Sequence, residues 1–288
     1  MCDKMDGYGV ELEHDGGIPL DPLILITNDD GIHSPGLHAA ALALAPLGDL
    51  LIAAPLHQHS GAGRSFPNTT SRQIHPQEIA LAGEPVTAFA VDGSPAQAVV
   101  YALATLAPRL PDLCVVGINY GENLGSGITT SGTVGAALEA ASAGIPTLAV
   151  SLQTRCQFHH THSPEIDFEV AAHFVQFFAR RLLSPQVMLP FDVDLLKVDV
   201  PDDATPDTPW RVTRVSRQPY FELVLPPDGA HGDDALDYGV RAEWPELEPD
   251  SDIYALVRDR VVSVSPVSLD LSSRTDRAAV ASLLRGDR

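Results

Sequence analysis

Leu23-Ile24-Leu25-Ile26-Thr27-Asn28-Asp29-Asp30-Gly31 is an apolar run that stops abruptly at an acidic turn. A short, uninterrupted apolar run bounded by turn residues reads as a strand covered on both faces, the condition of a parallel sheet between helices. The turn carries the chemistry. Two adjacent carboxylates at the tip of a buried strand repel each other and call for a compensating cation. A hard divalent metal is the natural one.

Outward from this strand the pattern alternates. A helix is predicted over about Pro35–Ala45, a strand over Leu50–Ala54 and a polar loop over Pro55–Thr70. A strand near Val86–Val91 precedes a helix opened by Ser94-Pro95, an N-cap serine followed by proline at the first helical position. A strand at Leu113–Gly117 leads into a glycine-rich loop, Ile118–Gly132, then a helix, Thr133–Ala143, stopped by Gly144. Thr147–Leu152 and Leu195–Val200 read as strands. Between them, Ser163-Pro164 opens a helix to about Leu183, with Phe168, Ala171, Ala172, Val175 and Phe178 at helical spacing. The expected fold is α/β, a Rossmann-like, mostly parallel sheet with helices on both faces. Residues 1–21 read as a flexible leader and 22–200 as the catalytic core. Residues 201–288 read as a smaller, irregular β-rich region for oligomer contacts, with strand-like runs at Arg211–Val215, Phe221–Leu225 and Val261–Ser265 and a terminal helix over Thr275–Leu284.

Composition narrows the function. The chain has 288 residues, enough for one large domain or a domain with an appendage, and 44% hydrophobic residues supply a core. Its formal charge of -20, from 38 acidic and 18 basic residues, argues against a nucleic-acid polymer as partner. A small phosphate ester stays compatible, because a bound metal inverts the local sign. Only Lys4 and Lys197 are lysines. Cys2, Cys114 and Cys156 show neither metal-ligand nor disulfide spacing, which fits a reducing cytoplasm. The acidic start lacks the apolar segment of a secretory signal, and no apolar stretch approaches ~20 residues, so no membrane association is expected.

In open α/β sheets ligands bind outside the carboxyl ends of the strands. Three polar segments fall there: Asn28–Gly31, His59–Ser65, and Gly117–Gly125 continuing to Ser131-Gly132-Thr133. Their carboxylate, hydroxyl and amide oxygens suit Mg2+ or Mn2+ rather than zinc. Ser131-Gly132-Thr133 opens a helix, where N–H groups and the helix dipole favour an anion. The histidines 159, 160 and 162 read as a solvated loop, without a carboxylate at ligand spacing.

At these residues the chain resembles the SurE family, the survival-protein-E nucleotidases. The resemblance is carried by Asn28–Gly31, Ser34-Pro35-Gly36, Ser60-Gly61-Ala62 after Ala54-Pro55, Gly117-Ile118-Asn119 with Asn123-Leu124-Gly125, and Ser131-Gly132-Thr133-Val134. It continues more weakly through Lys197–Pro201, Arg211-Val212-Thr213 and Val262–Pro266. It implies a metal-dependent phosphatase that hydrolyses nucleoside 5'- and 3'-monophosphates to nucleoside and inorganic phosphate, working as a homodimer or homotetramer with a swapped C-terminal extension. By position it implies one divalent metal per subunit (Mg2+ or Mn2+) on Asp29, Asp30, Ser60 and Asn119. Asn28, Asn123, Ser131, Gly132 and Thr133 would line the phosphate, and Asp29, Asp30 and Asn28 would be catalytic. The chain departs from the family pattern at His59, at Tyr120-Gly121-Glu122 and at Ser94–Ala98.

Two other phosphoryl-handling designs fit less well. The Asp-x-Asp of haloacid-dehalogenase-type phosphatases is absent, since Gly31 and Ile32 occupy the second positions after Asp29 and Asp30. A receiver-like module needs a lysine ending a late strand, and Lys197 lies within one. A non-catalytic nucleotide-binding regulator is the alternative from another class.

Overall fold

The computed structural model describes residues 21–224, 237–241, 243–244 and 246–286. The predicted leader falls almost wholly outside the described residues. Strand β1, Leu23–Thr27, is buried along its whole length. Ile24 and Ile26 pack into one core, and Leu23 and Leu25 into the other. This two-sided burial is why the run is continuous rather than alternating. Helix α1, Pro35–Leu44, returns to β2, Asp49–Pro55. Strands β3, Ile74–Leu81, and β4, Glu84–Val91, form a hairpin closed at Ala82-Gly83. Helix α2, Pro95–Tyr101, starts at the expected place: Ser94 and Gln97 form a reciprocal capping box. Then come β5, Leu113–Tyr120; α3, Gly132–Ser142; β6, Thr147–Leu152; α4, Glu169–Leu182; and β7, Leu195–Val200.

The sheet has nine strands in the order β3-β4-β2-β1-β5-β6-β7-β11-β8, where β8 is Trp210–Val212 and β11 is Val262–Val267. The six from β4 to β7 run parallel. Helices α1 and α4 cover one face, α2 and α3 the other. β1 to β2 winds one way and β5 to β7 the other, so the direction of winding reverses between β1 and β5. Their carboxyl ends flank the crevice where such sheets bind ligands. Among the described residues no helix is long and apolar enough to cross a membrane.

The chain after Val200 is divided. β8, Trp210–Val212, and β11, Val262–Val267, join the main sheet beyond β7, with β11 antiparallel to it. β9, Phe221–Val224, and β10, Asp237–Val240, form a separate ribbon. Helix α5, Asp252–Val257, packs Ile253 and Leu256 against Leu124, Tyr220 and Trp244 in a third, smaller core. Helix α6, Arg277–Arg285, buries no residue.

Three differences from the sequence reading have physical causes. β5 runs on to Tyr120, because a register shift between Val116 and Asn119 lets pairing with β6 resume at Asn119 opposite Ser151. α4 begins at Glu169 rather than near Pro164. Asp167 Oδ1 accepts the Glu169 N–H at 2.8 Å, and Phe168 turns inward against Tyr120, ring centroids 4.9 Å apart. β3 was missing from the sequence reading because it is an edge strand whose His75, Gln77 and Glu78 give no continuous apolar run.

The crevice also depends on how closely α1 approaches the end of β5. A methyl added at Gly36 would lie 2.0 Å from the Ile118 carbonyl oxygen. Gly36→Ala is expected to destabilise the fold by ~1–3 kcal/mol. Urea titration measures this; an unchanged midpoint would show that the approach is not tight.

Candidate active site

The turn after β1 is braced by Asn28, whose amide donates to the Gly31 carbonyl at 3.0 Å and accepts the Gly31 N–H at 3.1 Å. Both ends of Asn28 are therefore used in shaping the turn. The turn delivers Asp29 and Asp30, both buried. Asp29 Oδ1 accepts the Thr133 hydroxyl at 2.6 Å. A Cβ at Gly132 would fall 2.7 Å from Asp29 Oδ2, so only glycine lets α3 start against this carboxyl. Asp30 accepts from Gln58 Nε2 at 2.9 Å and from the Tyr120 N–H at 3.1 Å.

These donors are neutral. Among the described residues no Lys or Arg forms an ion pair with Asp29 or Asp30. Burial pushes the Asp29 carboxyl up to about 6, with Thr133 pulling it back in part. Burial raises Asp30 well above the carboxylate range, and the charge of Asp29 adds to the rise. A rise of this size in Asp29 corresponds to roughly 3 kcal/mol for keeping it ionised at neutral pH. The pair is thus short of positive charge.

Beside it opens a cleft of about 460 Å³. Asp29, Ser60, Asn119, Asn123 and Ser131 line one part of it. Asn119, next to the last residue of β5, spends its Nδ2 on the Gly121 carbonyl at 2.6 Å, which leaves the amide oxygen as an acceptor or cation ligand. Asn123 Nδ2 donates to Ser151 Oγ at 2.8 Å. Ser131 caps α3 by accepting the Val134 N–H at 3.1 Å. Ser60 is exposed, in a loop tied down by the His59 N–H on the Asp29 carbonyl at 2.7 Å. Arg64 on Glu139 at 2.6 Å fastens the same loop to α3.

The opposite wall is aromatic: Tyr220, Phe221 and Tyr238, with His159 and His160. The solvated histidine loop is corrected here for His159, which is 6% exposed. Its Nε2 donates to the Thr154 carbonyl at 3.3 Å and its Nδ1 is bonded to the Tyr238 hydroxyl at 2.9 Å. Burial lowers its basicity. His162, exposed as a residue, still reaches the Asp30 carbonyl at 3.1 Å. Glu122 also lines the cleft; burial pushes its carboxyl up to about 7.

Of the residues singled out in the sequence, Asp29, Ser60, Asn119, Asn123 and Ser131 therefore meet on one cleft. Asp30 sits directly behind, while Gly132 and Thr133 serve Asp29, and Asn28 serves the turn. Gln58, Glu122 and the aromatic wall carried no recognisable motif. Among the described residues no group of three His, Cys, Asp or Glu side chains could hold a metal. The donor set that fits a hard cation is the two uncompensated carboxylates with the Asn119 amide oxygen and the Ser60 hydroxyl, all oxygen.

Comparison with known proteins agrees with this placement of strands and loops. The family model described as Survival protein SurE matches residues 24–222. The 5'-nucleotidase SurE of Thermococcus gammatolerans is 40% identical over 267 residues, 92% of this chain and 96% of that protein. That of Archaeoglobus fulgidus is 40% identical over 258 residues, 88% and 94% of the two chains. The crystal structure of the SurE protein from Aquifex aeolicus superposes with a TM-score of 0.69 at 29% identity, covering 91% of this chain and all of that one.

If a cation relieves the acidic pair, Mn2+ at 100 times its dissociation constant should stabilise the chelator-stripped protein by about 2.7 kcal/mol. Asp30→Asn should abolish that gain and raise the melting temperature of the metal-free protein. Calorimetry with and without Mn2+ reads both effects; equal stabilisation of the variant by Mn2+ would contradict them.

Proposed function

This chain belongs to the SurE family, and from that premise we propose that it is a metal-dependent phosphomonoesterase hydrolysing nucleoside 5'- and 3'-monophosphates to nucleoside and inorganic phosphate. The observation that carries the reading is the pair of buried carboxylates with no cationic side chain paired to them among the described residues, set beside a cleft with an amide-and-hydroxyl floor and an aromatic wall. The cleft suits a molecule with one anionic and one planar end. A single divalent ion per subunit, Mg2+ or Mn2+, would be held by Asp29, Asp30, Asn119 and Ser60. When bound, it supplies Lewis acidity to a phosphoryl oxygen and makes a water more acidic.

The chain's own residues do the rest. Asp29 lines the cleft whereas Asp30 lies behind it, so Asp29 orients the attacking water and takes its proton. Thr133 and the start of α3 hold Asp29 in place, and Gln58 and the Tyr120 N–H hold Asp30. Asn123 and Ser131, at the amino end of α3, receive the phosphate and the charge that develops on its oxygens. Asn28 contributes by fixing the turn. Tyr238, Phe221 and His160 offer faces on which a nucleobase stacks.

We assign the protein to the cytoplasm as a homodimer or homotetramer, with residues 22–200 as catalytic core and the chain after 201 supplying contacts between copies. Exposed Leu223, Val224 and Val240 on the ribbon, and Leu283 and Leu284 on α6, support that division.

A panel of nucleoside 5'- and 3'-monophosphates, assayed with Mn2+ and Mg2+ on chelator-stripped protein, tests the activity. Phosphate release should require the metal, and Asp30→Asn should lower kcat/KM by ~100-fold or more. Release undiminished in EDTA would contradict the metal role. Binding of every nucleotide without release would favour the non-catalytic regulator. Leu283→Asp combined with Leu284→Asp should lower the mass seen by light scattering toward the monomer; an unchanged mass would move the interface elsewhere.

A further inference from the structure

Lys197 is one of only two lysines in the chain and is completely buried on β7. Its Nζ donates to Asp199 and, at 3.2 Å, to Asp252 at the start of α5. Burial pulls the ammonium toward neutrality, but the two carboxylates outweigh that pull and keep it charged. An apolar side chain of similar volume fills such a position at lower cost in lost hydration, so a buried ionic group invites a search for what it organises.

The other bonds of the two carboxylates answer that search. Asp199 Oδ1 accepts the Asn123 N–H at 2.8 Å. Asp252 Oδ2 accepts the Gly125 N–H at 3.1 Å, and its Oδ1 accepts the Ser216 N–H at 2.9 Å. Asn123 lies on the cleft, two residues from Gly125, in the loop that joins Asn119 to Ser131. Leu124 between them is buried against Ile253 and Tyr220. Two backbone N–H groups of this loop therefore end on carboxylates that share one ammonium. Asp29, Asp30 and Asn119 hang on different bonds: Thr133, Gln58, the Tyr120 N–H and the Gly121 carbonyl. Lys197 itself is not among the residues lining the cleft.

We propose that Lys197 is a positioning residue: by bridging Asp199 and Asp252 it fixes the two acceptors that set the Asn123–Gly125 backbone, and with it the Asn123 amide that receives the phosphate. The kinetic side of this inference rests on the phosphomonoesterase reading. The ordering of the loop does not.

The test uses the full-length protein loaded with Mn2+ and the variant Lys197→Met, with circular dichroism confirming the fold. Amide hydrogen exchange across residues 121–126 should accelerate ~10-fold while β1, β5 and β6 stay protected. kcat/KM should fall ~10–100-fold, mainly through KM. Mn2+ affinity by calorimetry should stay within ~2-fold, because its candidate ligands are held elsewhere. Unchanged exchange at 121–126 would overturn the proposal, as would acceleration spread evenly over the strands or a parallel loss of Mn2+ affinity. Should Lys197→Met fail to fold, Asp252→Asn, nearly isosteric, carries the same readings and is judged by them. A wild-type protein that releases no phosphate would sink the phosphomonoesterase reading; the exchange measurement would still decide what Lys197 does.

Discussion

Two carboxylates, Asp29 and Asp30, share the buried tip of β1 with no cationic side chain paired to either among the described residues. Charge repulsion and lost hydration both oppose that arrangement. The surrounding structure is built to enforce it. Asn28 locks the turn, Thr133 and the start of α3 grip Asp29, and Gln58 with the Tyr120 N–H grip Asp30. Gly132 is glycine because a Cβ there would strike the Asp29 carboxyl. Neutral donors orient the pair without neutralising it, so the site keeps an electrostatic demand that a hard cation would meet.

Topology puts the complement in place. The chain crosses from one side of β1 to the other between β4 and β5, so the ends of β1 and β5 open side by side. Asn119 arrives on β5, and the loop beyond it runs back to Ser131 at the head of α3. The late part of the chain closes the arrangement from outside. Tyr220, Phe221 and Tyr238 wall the cleft, and Asp252 reaches in under the loop beside Lys197 and Asp199. A site formed by the first half of the chain is thus shaped and braced by the second.

How much of this was legible follows from the physics of each signal. β1, β6 and β7 read correctly to the residue: β1, buried on both faces, leaves a continuous apolar trace, and apolar residues still hold most positions of β6 and β7. The start of α2 was legible because Ser94, Pro95 and Gln97 are a local capping unit. The acidic pair, Ser60, Asn119, Asn123 and Ser131 were legible from their order along the chain. β3, β10 and α5 were not, being short, polar or exposed at an edge. His159 looked solvated because its burial comes from Tyr238 and Phe221, far away in sequence. The split of work among Asn28, Gly132 and Thr133 was hidden too, since a motif records that residues meet and not which oxygen each one serves. Lys197 gave its rarity and its place within a strand, not its role; its two partners lie two and 55 residues along the chain.

The central claim is that the Asp29–Asp30 pair holds a divalent cation. Anomalous diffraction from crystals grown with Mn2+ tests it most directly. A single strong peak should lie within about 2.5 Å of carboxylate oxygens of both Asp29 and Asp30. A peak elsewhere in the molecule, or none at that position in saturating Mn2+, would contradict it.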